Sequence, residues 1–367
     1  MTNNSEDKYF IAFSSIEEIS SAFVKTILDI KGTIKAAWES EEKDFYNSGL
    51  RKASVEKFLE KRDKIDPDKL LNLTVEKGIN WITYNSENYP ELLRNIDSPP
   101  MVLFYRGNLK RVNFEKTLSV VGSRKASTMG KENLGRILKD FYGTDLTIVS
   151  GGAAGVDTCA HENAIKNNLS TVVVIGSGLD KLYPVQNEKM FEEICQNYGV
   201  VMSEYWHDFE PLPFRFPIRN RIVSGLSKGT LIVEAALKSG AMITANLCLE
   251  QGRELMCMPG NINNPNTQGI YHLLKNGASM ITNGQDIMDV MNWEKIKSSA
   301  GLENSKNSNL PEKERKIIDE ISIEPLSADI IASRLSFDIG ELMMLLTTME
   351  LSGLIKQIEG AKYTTCN

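Results

Sequence analysis

The stretch TLSVVGSRKASTMGKENLGRILKDFYGTDLTIVSGGAAGVDTCAHENAIKNNLSTVVVIGSG, Thr117 to Gly178, decides the fold. Its three apolar runs, LSVVG, LTIVSGG and TVVVIGSG, are short, β-branched or aliphatic, and separated by segments of helical texture. Near-continuous apolar strands alternating with helices require a parallel sheet covered on both faces. Working outward, VVMSEY, TLIVEAA and ELMCMPG extend the alternation to about Thr282. The spacing therefore predicts a doubly wound α/β domain. Ligands of such domains bind beyond the carboxyl ends of the strands. Here those ends read Gly122-Ser123-Arg124, Ser150-Gly151-Gly152, Gly176-Ser177-Gly178 and Pro259-Gly260.

Upstream, residues 10 to about 72 carry apolar positions at helical spacing, such as Ile16, Ile19, Phe23, Ile27 and Ile30, and almost no β-rich run. They predict a small helical domain over 1–77, with the α/β domain over 78–292. The polar segment 293–309 reads as a linker. Beyond it, 310–367 holds three amphipathic helix patterns and a small hairpin, the parts of a winged helix. Its third helix, GELMMLLTTMELSGLI, contains Glu341 and Glu350 and no Lys or Arg. A DNA-reading helix needs cations for the phosphates, so this module suits a protein partner or packing alone.

The chain has 367 residues, 41% hydrophobic and 25% charged, with a net charge of -6. No apolar run approaches a membrane span and no export signal is visible, which places the protein in the cytoplasm without a membrane partner. Cys159, Cys195, Cys248, Cys257 and Cys366 form no CxxC pair, so neither a disulfide framework nor a zinc site is expected. His207 and His272 sit at no metal-ligand spacing. No metal and no cofactor are expected.

Against this acidic background, PFRFPIRNRIVSGLSKG, Pro213 to Gly229, carries Arg215, Arg219, Arg221 and Lys228 without an acidic residue between Glu210 and Glu234. As a helix it would place Ile218, Ile222 and Leu226 on an apolar stripe and Asn220, Arg221, Ser224 and Lys228 on the far side. Arg219, beside the stripe, is expected to be partly buried and paired with Glu204 or Glu234. Arg221 and Lys228 would remain available for phosphates, and Phe216 for stacking on a base. A solvated helix with a core phenylalanine is the alternative reading of this segment.

Gly122, Ser123 and Arg124 lie between a strand and a helix, where backbone N–H groups, a hydroxyl and a guanidinium suit a phosphate oxygen. The alternative is a turn-forming Gly122 beside a solvated Arg124. The loop has neither GxGxxG nor GxxxxGK[ST], so ATP hydrolysis is unsupported. Gly151, Gly152 and Gly155 allow close backbone approach at the second strand end. Asp157 and His161 are one helical turn apart and could pair, while Glu204 and Glu234 fit better as partners of the arginines than as general acid and base. No catalytic residue is assigned.

The ordered series YPELLRNIDSPPMVLFYRG, VVGSRKAS, IVSGGAAGVDTCAH, VVIGSGLDKLYPVQN, SEY, FPIRNRIVSGLS, IVEAALKSGAMITANLCLEQGRELMCMPGNINNPNTQG and LLKNGASMI, covering about residues 81–283, resembles the DprA/Smf family of DNA-processing factors in bacterial natural transformation. The resemblance implies an extended Rossmann-like domain, a sterile-alpha-motif-like (SAM-like) N-terminal domain matched only by position and helicity, and a winged-helix appendage. It implies a homodimeric single-stranded DNA-binding protein, not an enzyme, that protects incoming strands and helps load a RecA-type recombinase on them. The family's phosphate loop falls on Gly122, Ser123 and Arg124, with Arg directly after Ser, and its FPxRNR segment on Phe216, Pro217, Arg219, Asn220 and Arg221. On this reading Arg124, Arg221 and Lys228 neutralise phosphates, Gly151 and Gly176 admit backbone N–H groups to them, Phe216 stacks, and Arg219 supports the site from behind. Two competitors are a lysine-decarboxylase-like phosphoribohydrolase, whose PGGxGTxxE signature is absent here, and a protein adaptor without DNA binding.

Overall fold

The computed structural model describes residues 6–293, 311–323, 325–352, 354–358 and 360–365. The expected linker 293–309 lies, apart from Trp293, outside the described residues. The chain divides into two compact units, Met1–Lys295 and Ile296–Asn367.

The first unit is built on one nine-stranded sheet. Its strands are β1 (Asn80–Thr83), β2 (Val102–Gly107), β3 (Thr117–Val121), β4 (Thr147–Ser150), β5 (Ser170–Val174), β6 (Gly199–Ser203), β7 (Gly229–Ile232), β8 (Glu254–Cys257) and β9 (Ser279–Met280). They lie in the order β1-β2-β6-β5-β4-β3-β7-β8-β9. The seven strands from β6 to β9 along this order are parallel, and β1 and β2 pair antiparallel at one edge. The chain runs outward from β3 through β4 and β5 to β6, then returns to the other flank of β3 with β7. The carboxyl ends of β3, β4 and β7 therefore meet where the strand order reverses, the position at which open α/β sheets bind ligands.

The valine run of β5 shows why the strands read as continuously apolar. Val172 and Val174 pack with Ile222, Val223 and Leu226 of the helix Arg215–Gly225 and its C-cap. Val173 and Ile175 point the opposite way, into a cluster with Phe191 and Ile194. Both faces of the sheet are thus buried, and alternation of polarity has no place.

That second cluster continues into the N-terminal residues, where six helices lie between Asp7 and Glu76. Ser20 and Thr33 accept hydrogen bonds from the third residue of the helices they open, and Asp66 with Pro67 starts the sixth. Phe13 stacks on Phe58 at 5.2 Å, and Trp38 meets both edge-on. Because this aromatic core is contiguous with one face of the sheet, the helices and the α/β portion form a single compact unit.

The second unit consists of helices Glu312–Ile323, Ala328–Leu335 and Ile339–Leu351 with a three-stranded sheet. In that sheet β12 (Lys362–Thr365) lies between β10 (Leu326–Ser327) and β11 (Ile355–Ile358). The two-residue β10 is the strand that the sequence reading lacked. Ile317, Ile321, Ile331, Leu342 and Leu346 close the core, completing a winged helix. Among the described residues no helix is long and apolar enough to cross a membrane. Cys159, Cys248 and Cys257 are buried free thiols, and burial pushes Cys257 up to about 12.

Candidate nucleic-acid interface

A cleft of about 620 Å³ opens at the carboxyl ends of β3, β4 and β7. One wall is the helix Arg215–Gly225, which tolerates Pro217 because the proline sits in the first turn, where N–H groups have no intrahelical acceptor. Val223 O accepts a hydrogen bond from Ser119 Oγ of β3 at 2.6 Å, which rotates the helix so that Arg219, Ile222 and Val223 face the sheet. The apolar stripe is therefore not the expected one: Ile222 and Leu226 are buried, but Ile218 is 45% exposed.

Arg219 lies deep in this wall, 4% exposed. Its Nη1 donates to the carbonyls of Gly151 and Val174, and neither Glu204 nor Glu234 pairs with it, contrary to the sequence expectation. Burial lowers its pKa to about 10, a loss opposed by the Asp157 carboxylate, so the guanidinium stays charged at neutral pH. Asp157, in turn, is raised by burial and held down by Arg219 and by N–H donors such as that of Ala153. The anticipated Asp157–His161 pair does not form. His161 bonds Thr171 Oγ1 at 2.8 Å, and burial, assisted by Arg219, drops its pKa to about 3.

The glycines of the strand ends make room for the protein's own side chains. A Cβ on Gly151 would lie 2.4 Å from Arg219 Nη1, and one on Gly176 would lie 3.0 Å from Phe216 Cδ1. Gly152, at φ +69, faces Val173 and Phe191 behind the cleft. Gly151 and Gly176 thus seat Arg219 and Phe216 where an approaching backbone had been expected.

Arg221 and Lys228 are not free. Arg221 makes a two-pronged contact with Glu204 at 2.6 and 2.7 Å, and Ser21 of the N-terminal helices bonds the same carboxylate at 3.2 Å. Burial alone would lower the pKa of Arg221, and Glu204 more than compensates. Lys228 reaches Glu115 at 3.5 Å and precedes β7, at the end of the sheet opposite the cleft. Arg215 is held by Glu17 among the rings of Tyr205, Phe209 and Phe214, whose centroids are 4.8 to 5.7 Å away. Glu234 caps a helix instead of orienting an arginine: it accepts from the N–H and hydroxyl of Ser127, the N-cap of Thr128–Lys139. The helix after β3 therefore presents its N-terminus to Glu234, not to the cleft.

What faces the cleft is a smaller set. Gly122, Ser123 and Asn220 line it, and Arg124 is exposed with its guanidinium 5.7 Å from the ring of Phe216. Tyr183 packs on the same ring at 5.7 Å and is 45% exposed. Opposite lies the start of the helix Gly240–Glu250, where the buried Ser239 Oγ has no hydrogen-bond partner. Sequence reasoning missed Tyr183, Ser239 and Asn266. All three follow strand ends of the sheet, so a search of every strand-end loop for aromatic, hydroxyl and amide residues would have found them. Among the described residues no group of three or more His, Cys, Asp or Glu side chains could hold a metal ion.

A cleft at the switch point of a parallel sheet, with an exposed guanidinium over one ring of an aromatic pair, belongs to the class of Rossmann-like binding proteins. The particular family follows from comparison. The profile described as DNA recombination-mediator protein A matches residues 80–292, and that of the DprA winged helix domain matches residues 303–361. The chain belongs to the DNA recombination-mediator protein A family. It is 38% identical to the DNA processing protein DprA of Streptococcus pneumoniae over 66% of this chain and 83% of that one. It is 36% identical to the protein Smf of Escherichia coli over 78% and 80% of the two chains. The crystal structure of the Streptococcus pneumoniae protein superposes with a TM-score of 0.69 at 32% identity, covering 81% of this chain and all of that one. DNA processing protein A of Helicobacter pylori, whose structure is described for its single-stranded DNA binding mode, gives 0.53 at 32% identity over 59% and 98% of the two chains.

Proposed function

We propose that this chain binds single-stranded DNA in the cleft between Arg124, Phe216 and the start of the helix Gly240–Glu250, and acts without catalytic turnover as a recombination mediator. The observation that carries the reading is the cluster of Arg124 over Phe216, with Tyr183 tilted against the same ring, beside the unpartnered Ser239 hydroxyl. A cation at the mouth takes a phosphate, and the helix start with Ser239 suits a second anionic oxygen. The aromatic pair takes a base face, an interaction worth about 1 to 3 kcal/mol and indifferent to base identity. The family and the Helicobacter pylori relative support this choice of ligand.

The mediator role extends to a homodimer that hands the strand to a RecA-type recombinase. The winged helix, whose third helix lacks Lys and Arg, serves a protein partner in this scheme. A strand carrying 2-aminopurine tests the central contact. Stacking on Phe216 quenches its fluorescence on binding, and Phe216→Ala abolishes most of the quench. Equal quenching by wild type and variant would place the base elsewhere.

A further inference from the structure

A second cleft, of about 630 Å³, opens at the same edge of the sheet beyond the ends of β7 and β8. Its lining differs in chemistry from that of the first. Met129 and Pro259 supply apolar walls above the buried Met258, and Asn133 and Asn263 supply amides. No Lys or Arg lines it, and the buried Glu234 carboxylate faces it. A phosphate finds no counter-charge there. The amides of Asn133 and Asn263 make no side-chain hydrogen bond within the described residues, although Asn133 is half-buried. An amide presents a donor and an acceptor side by side, the arrangement that matches the edge of a nucleobase.

The two clefts share a wall. Asn264 lines the second and accepts from Asn266 N–H at 2.9 Å, while Asn266 lines the first and donates to Lys125 O at 3.2 Å. Arg124 lines the first cleft, and the exposed Lys125 follows it in the chain, its carbonyl held by Asn266 of the shared wall. We propose that the second cleft is a base subsite: a strand whose phosphates pass Arg124 places an unstacked base there, its plane against Met129 and Pro259 and its edge on Asn133 and Asn263. This rests on the first cleft being a single-strand site.

The test uses the full chain, a mixed-sequence single strand of about 20 nucleotides, longer than the roughly 4 to 16 that one single-strand-binding fold covers, and an abasic strand of equal length. Asn133→Ala and Asn263→Ala each lower affinity for the base-bearing strand by about twofold to tenfold, the effect of one lost hydrogen bond. Neither changes affinity for the abasic strand, and thermal melts match wild type because both side chains reach solvent. Equal losses on both strands would mean a backbone contact and overturn the base assignment. Wild-type affinity in both variants, with Arg124→Ala still weakened, would overturn the second subsite alone. Wild-type affinity in Arg124→Ala as well would instead sink the first-cleft reading.

Discussion

Arg219→Ala separates the two roles that the arginines of this helix divide between them. Arg219 is 4% exposed, donates to the carbonyls of Gly151 and Val174, and lies near enough to the buried Asp157 to lower its pKa. Its removal strands two buried acceptors, at about 1 to 3 kcal/mol each, and takes away the cation whose field holds down the Asp157 carboxyl, which burial already raises. These overlap, so we expect a loss of about 3 to 5 kcal/mol, read as a lower urea midpoint at unchanged slope. Adding Asp157→Asn should recover part of it, because the unpaired charge disappears. Arg124→Ala is the counterpart: exposed and without an ion pair among the described residues, it should leave the midpoint within about 0.5 kcal/mol of wild type. A loss below about 1 kcal/mol for Arg219→Ala, with no rescue by Asp157→Asn, would refute the assignment of Arg219 to the scaffold.

Three further outcomes follow from the same geometry. Gly176→Ala places a Cβ 3.0 Å from Phe216 Cδ1 and should tilt the ring, weakening single-strand binding severalfold while changing stability by no more than about 1 kcal/mol; undiminished binding would contradict the role of Gly176 as the seat of the ring. Glu17→Gln deprives the 2%-exposed Arg215 of its carboxylate. Since Glu17 is itself 46% exposed, solvent screening holds the expected loss to about 1 to 2 kcal/mol, and limited proteolysis should cut the N-terminal helices sooner. His161 is neutral when folded, with its pKa lowered from 6.5 to about 3, so the unfolded chain binds the extra proton. Stability is then lost as pH falls from about 6.5 towards 3, by up to about 1.4 kcal/mol per pH unit, and His161→Gln should flatten that part of the Tm-against-pH curve.

The alternation of apolar runs and helical texture was enough to read the parallel sheet, because strands buried on both faces must be apolar throughout. The winged helix was legible for a similar reason, apart from the two-residue β10, which is too short to show a period. The failures concentrate on charge pairing. Arg221 and Lys228 are cations without acidic neighbours in sequence, yet Glu204 and Glu115, remote along the chain, meet them in space. The helix face was misread at Ile218 because Ser119, a hundred residues upstream in β3, fixes its rotation through Val223. The glycines of the strand ends were recognised as points of close approach, but only the structure shows that the approaching groups are Arg219 and Phe216. Tyr183, Ser239 and Asn266 come from three separate loops, and no local spacing links them.

The most direct measurement of the central claim is a fluorescence-anisotropy titration of a mixed-sequence single strand and its duplex, across several salt concentrations, with wild type and Arg124→Ala. We expect salt-dependent binding that favours the single strand, and in the variant a weaker affinity for every sequence with a salt slope shallower by about one phosphate. Identical affinity and slope in the two proteins would contradict a DNA site built around Arg124.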